Sequence, residues 1–191
     1  MLLLVVGLVV FLGVHSVRIV ADDWRSARIA AWGERRWKLA YTVASLIGFV
    51  LIVHGYGQAR QATTILYQPP TWSRHVAAAL VLVAFILVAA AYVRGTRIKA
   101  AVGHPMILGV KVWAFAHLLA NGTAADVVLF GAFLVWAVVD YAASRRRDRL
   151  AGVTYPAGPL RQDAIAVVAG TLAWVIFAFW LHGPLIGVRP Y

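Results

Sequence analysis

The chain is 191 residues long, 62% apolar and 13% charged, with a formal net charge of +11 and no cysteine. Soluble domains average about 45–50% apolar and about 25% charged residues, so the composition excludes an ordinary water-soluble fold and points to lipid as the solvent. The absence of cysteine excludes disulfides, thiolate metal sites, iron–sulfur clusters, covalent c-type haem attachment and thiol catalysis.

A membrane-spanning helix needs about 20 predominantly apolar residues. Six stretches approach that length: Met1 to Ile19, Leu39 to Tyr56, His75 to Tyr92, Pro105 to Ala120, Ala125 to Ala142 and Ala164 to Leu181. Little chain is left for a soluble part. The expected fold is all-α, an integral membrane bundle of about six transmembrane helices forming one domain over residues 1–191.

No Lys or Arg precedes the first stretch and no small-residue cleavage site ends it, so it reads as a retained helix rather than a signal peptide. His15, Arg18 and Asp22 fall at i, i+3 and i+7 on one face, which predicts an Arg18–Asp22 pair beneath the histidine. In the segment Ala21 to Lys38, Trp24, Arg28 and Trp32 recur at helical spacing, the pattern of an amphipathic helix lying at the headgroups. Gln68-Pro-Pro-Thr-Trp marks a break before the third stretch.

The fourth stretch is the shortest and contains Lys111, which makes it the weakest of the six spans. His104 stands before Pro105, a residue favoured at the first helical position. Lys111 follows two turns later and reads first as an interface anchor. Trp113, His117 and Asn121 lie at i, i+4 and i+8 and make a polar-aromatic stripe. His117 falls about 20 Å along the axis from His104, and a histidine at that depth needs a partner from another helix, a metal or a substrate. Asn121-Gly-Thr reads as a tight turn, with Thr123 capping the fifth helix. That helix carries Asp126 and Asp140, and Tyr155-Pro-Ala-Gly-Pro breaks the chain before the sixth. Internal repeats and low-complexity tracts are absent.

The charges alternate by loop. Arg18, Arg25, Arg28, Arg35, Arg36 and Lys38 lie between the first two stretches, Arg94, Arg97 and Lys99 between the third and fourth, and Arg145, Arg146, Arg147, Arg149 and Arg161 between the last two. The other side has only Arg60, Arg74 and Arg189. By the positive-inside rule the basic loops face the cytoplasm, so both termini are expected on the non-cytoplasmic side of a bacterial inner membrane. The basic balance is thus a topology signal, and nucleic acid is not an expected partner despite the affinity of basic patches for phosphate.

Polar side chains at membrane depth are costly and tend to be functional. On this topology His15 and His104 lie toward the cytoplasm, and His54, His75, His117 and His182 toward the outside. Two histidines on facing helices are able to ligate a haem iron, and equally able to satisfy one another by hydrogen bonds. His75 and His182, at helix ends, read as interfacial residues. Gly-rich phosphate loops and metal-ligating carboxylate clusters are missing, which removes the usual marks of nucleotide or di-metal enzymes.

Five pieces of the sequence carry a family likeness: His15-Ser16; Gly33-Glu34-Arg35-Arg36; His104-Pro105; Ala116-His-Leu-Leu-Ala-Asn-Gly122; and His182-Gly-Pro-Leu-Ile-Gly-Val-Arg-Pro190. With them the chain resembles, from end to end, the NnrU family of bacterial membrane proteins, which is similar in turn to the zeta-carotene isomerases of plants and cyanobacteria. The resemblance implies a multi-helix membrane fold and, on the isomerase side, a non-covalent b-type haem held by histidine. Carried over by position, His15 and His117 become the metal ligands, with His104 a third candidate and Asn121 in the same cofactor-binding set; catalytic residues are left unassigned. Depth along the helices sits against this pairing, since it brings His15 nearer to His104 than to His117. The implied role is support of nitrite and nitric oxide reduction in denitrification, with nitric oxide or a lipophilic small molecule as ligand and a reductase as partner. The alternative is a haem-dependent isomerase acting on a lipophilic polyene, and a second alternative is a structural membrane protein without cofactor.

Overall fold

The computed structural model describes residues 1–190. Its elements are α1 (Leu2–Val20), α2 (Asp22–Trp32), α3 (Glu34–Ala59) running into a 3-10 turn (Arg60–Ala62), α4 (Ser73–Tyr92), α5 (Arg97–Val102), α6 (Pro105–Ala120), α7 (Ala124–Leu150), α8 (Leu160–Ile176), a π-helical turn (Phe177–Leu181) and α9 (His182–Ile186). Apart from one isolated antiparallel bridge, Ile65 to Thr123, the described residues form no β-structure.

Five helical segments are long and apolar enough to cross a membrane: Leu2–Val20, Glu34–Ala62, Ser73–Tyr92, Ala124–Leu150 and Leu160–Ile186. The expected sixth, α6, has 16 residues. At 1.5 Å per residue it is about 24 Å long, short of a hydrocarbon core of about 30 Å. The chain is therefore a membrane protein with five full-length spans and one shorter apolar helix. On α3 the residues Leu46, Ile47, Phe49 and Val50 are each more than half exposed. A helix that presents such side chains on several sides at once is built for lipid.

The helices fall into two compact units. The first comprises Met1–Gln68 and Asn121–Trp136. Its seam is the antiparallel packing of α1 on α3, made possible by glycine. Gly7 lies against the backbone of Leu51 and Ile52, Gly48 against Phe11, and Gly55 against Leu3 and Leu4, each so close that a methyl group would strike the opposing main chain. Lipid tails are as apolar as leucine, so membrane helices associate through such close backbone approach rather than through hydrophobic burial alone. Leu4, Leu8 and Ile52 fill the seam.

Between these helices the chain leaves helical geometry at Ala21 (φ −146°, ψ 46°) and again at Gly33, whose φ of 82° suits a residue without a Cβ. The surface segment expected from Ala21 to Lys38 is thus α2 followed by the first turn of α3. Nothing in α2 is buried. Trp37 of α3 meets the rings of Trp24 (5.8 Å) and Trp32 (6.5 Å), and Arg28 lies over Trp24.

At the other end of this unit residues 63–67 run alongside 121–124: Leu66 N and Tyr67 N donate to Gly122 O, and Ala124 N to Thr64 O. Thr123 caps α7 as expected. Its hydroxyl accepts from Asp126 N, while the Asp126 carboxylate accepts from Thr123 N (3.0 Å) and Thr123 Oγ1 (2.7 Å), the reciprocal arrangement of a capping box. Asp126, 6% exposed, also accepts a 2.6 Å hydrogen bond from the Tyr56 hydroxyl, which answers the cost of a carboxylate at this depth.

The second unit comprises Pro69–Ala120 and residues from 137 onward. Here α4 is the centre, packed on α6 through Gly109, which lies against Ala84, Leu87 and Val88, and on α8 through Gly170, which lies against the backbone of Phe85 and Ile86. Ala77, Ala84, Leu87, Ala90, Ala114, Ala116 and Ala166 are buried, so small side chains again set the helix spacing. One loop cluster ties this unit together: Gly158 N donates to Gly95 O (2.9 Å), Asp163 accepts from Ile98 N (3.1 Å), and Thr96 caps α5 through Lys99 N (3.1 Å).

Candidate functional site

His15 lies near the end of α1, in the first unit. Its Nδ1 is 2.7 Å from the carbonyl of Phe11, one turn back. A carbonyl only accepts, so Nδ1 carries a proton, and in the neutral ring the lone pair is then on Nε2. Three rings hold the imidazole: Phe11 is stacked on it at 4.2 Å, Tyr41 of α3 meets it at 5.2 Å, and Trp136 of α7 meets it edge-on at 6.0 Å. Phe133 packs on Phe11 at 5.8 Å.

Two polar atoms of this unit are buried without a hydrogen-bond partner among the described residues, Nε1 of Trp136, whose ring meets His15, and Ser45 Oγ on α3. Ser45 lies one turn from Tyr41 on α3, and Gly48, three residues further, meets Phe11. Ser45 is thus on the stripe of α3 that faces Phe11 and His15. The expected ion pair below the histidine is present at its outer limit, Arg18 Nε to Asp22 Oδ1 at 4.0 Å, and Arg25 shares the same carboxylate at 3.5 Å. Exposure of these side chains makes the pairs energetically minor.

His117 occupies α6 in the second unit and repeats the device of His15. Its Nδ1 is 2.8 Å from the carbonyl of Trp113, so Nδ1 is again the protonated nitrogen, and the Trp113 ring lies 5.0 Å away. The predicted stripe therefore begins as expected, but Asn121 has already left the helix. The Asn121 carbonyl accepts a 2.6 Å hydrogen bond from the Tyr67 hydroxyl in the first unit.

His104 has a different setting. Its Nε2 lies 2.8 Å from Asp148 Oδ2, the Tyr155 hydroxyl donates to that same oxygen at 3.0 Å, and Arg145 stands 3.7 Å from it. Lys99 lies over the Tyr155 ring, and Tyr141 donates to Val102 O at 2.7 Å, just before the histidine. Gly103 turns the chain at φ 74°, and a side chain there would collide with Arg145.

Sequence reasoning missed Asp148, Tyr155, Ser45 and Trp136. Asp148 stands inside the run Arg145-Arg-Arg-Asp-Arg149, where the charge pattern signals topology, and its histidine is 44 residues away. Ser45 and Trp136 sit in apolar runs, where no spacing rule marks them. Of the other histidines, His54 and His75 are exposed, and His182 closes the turn after α9's start through Val188 O at 2.6 Å. Among the described residues no group of three or more His, Asp or Glu side chains is arranged to hold a metal ion.

No curated protein and no solved structure matches the chain. A family model described as NnrU protein matches residues 3–190, nearly its whole length, with the two similarly prepared histidines and the clasped His104 inside the match. The chain belongs to the NnrU family.

Proposed function

We propose that this protein binds a b-type haem through His15 and His117 and, as an NnrU protein of the membrane, supports nitrite and nitric oxide reduction. The observation that carries the reading is the preparation common to the two histidines. Each donates Nδ1–H to the carbonyl four residues earlier, at 2.7 Å in His15 and 2.8 Å in His117, which fixes the tautomer with the lone pair on Nε2. Histidines that ligate metals almost always engage their other nitrogen this way, because the hydrogen bond orients the ring and raises its basicity.

The residues around His15 fit the group. Phe11, Tyr41 and Trp136 give an aromatic wall suited to a large flat apolar ring, and the unpartnered Trp136 Nε1 and Ser45 Oγ mark a place for a polar group from outside the chain. His104 also keeps one nitrogen, Nδ1, and is left out of the ligand set in this reading because its surroundings are polar and charged, with Asp148, Tyr155 and Arg145 around it in place of an aromatic wall. When bound, haem would supply an iron able to take nitric oxide or to change oxidation state. The chain's contribution is to hold the ring nitrogens in one tautomer, to exclude water with apolar helices, and to keep the group in the membrane without a covalent link.

The test is an absorption spectrum of the detergent-purified protein, oxidised and dithionite-reduced, beside His15→Ala and His117→Ala. A Soret band with a sharp reduced α-band that disappears in both variants supports the reading. Nitric oxide and polyene additions to the wild type then separate a nitrogen-oxide role from an isomerase. A wild type that stays colourless after haem is added back overturns it.

A further inference from the structure

Resting on the haem reading, we propose that Ser45 and Trp136 are the residues that hold the carboxylate side chains of that haem. An indole N–H only donates, and a serine hydroxyl buried in an apolar seam needs an acceptor for its proton. Leaving both unmade is unfavourable, and native proteins rarely do so. Both atoms lack partners among the described residues, and both border the surroundings of His15: Trp136 through its ring contact, Ser45 through its place between Tyr41 and Gly48 on the stripe that faces α1. What is missing there is an acceptor.

The strong acceptors of a b-type haem are its propionate carboxylates. Without cysteine the chain has no covalent hold on the porphyrin, so iron ligation and this polar edge must share the work. A carboxylate in the membrane also needs a positive charge nearby. Arg18 lies one turn beyond His15 on the same face and brings such a charge to this end of α1.

The full chain in detergent is titrated with protohaem and with protohaem dimethyl ester, in which both carboxylates are masked, following the Soret band in the wild type, Ser45→Ala, Trp136→Phe and the double variant. The wild type is expected to prefer protohaem by about tenfold or more, the worth of a hydrogen bond to a charged group. Each variant should lose part of that preference, and the double variant nearly all of it, the preference being read as the ratio of the two affinities on the same protein. Ser45→Ala, a small change, keeps the test open if Trp136→Phe does not fold. Equal affinity of the wild type for both haems, or a preference retained in the double variant, overturns the proposal and leaves internal water as the partner of the two donors. A wild type that binds neither haem instead overturns the reading on which the proposal rests.

Discussion

His15 in the first unit and His104 in the second each commit one ring nitrogen to a short hydrogen bond, and the acceptor gives them different work. At His15 the acceptor is a neutral carbonyl of its own helix, the walls are aromatic, and Nε1 of the neighbouring Trp136 lacks a partner among the described residues. At His104 the acceptor is a carboxylate 44 residues away, shared with a tyrosine and flanked by an arginine. The first arrangement sets the imidazole among aromatic rings. The second closes a polar clasp between the start of α6 and the end of α7. Residue type is thus a poor guide to role, and the first atom each ring meets is a better one.

The sharpest way to break this comparison is to remove each ring. His15→Ala should abolish the Soret absorption of haem-loaded protein, while His104→Ala should leave the spectrum intact; equal spectral loss would mean the two sites are not different in kind. Next in size is the seam that carries His15. In Gly48→Ala the new methyl strikes the backbone of Phe11, the residue whose carbonyl holds the imidazole. A loss of about 3 kcal/mol by unfolding in detergent is expected, with weaker haem retention.

A smaller effect is expected at the clasp. Asp148→Asn should cost about 1–2 kcal/mol, because the His104 and Tyr155 bonds lose their charged acceptor, with no change in the haem spectrum. The smallest is a control on α3: Gly57 has open space around its Cβ position. Gly57→Ala should therefore be neutral, or stabilising by no more than about 1 kcal/mol, on the same unfolding assay. If Gly57→Ala and Gly48→Ala behaved alike, close packing of α1 on α3 would not be what positions Phe11 and His15.

Much of the fold was legible because its signals are local. Apolar run length marked the five spans and made α6 the doubtful one, and its 16 residues bear that doubt out. Thr123 was identified as a cap from its neighbours alone, and Asp126 completes the motif three residues on. For the candidate site, the family resemblance selected His15, His117 and His104 but not which of them would meet a carboxylate, and Asn121 lies past the helix end rather than on its stripe.

By itself the sequence determined solvent and helix count to within one, since apolarity and 3.6-residue periodicity are properties of contiguous segments. Only the tertiary structure decided that Tyr56 would answer Asp126 from 70 residues away, that Asp148 would take His104, and that Trp136 would meet His15 with its Nε1 unpartnered among the described residues. These pairings depend on the register at which one helix packs against another. In this chain that register is set by where glycines let two backbones touch, as at Gly7, Gly48 and Gly55.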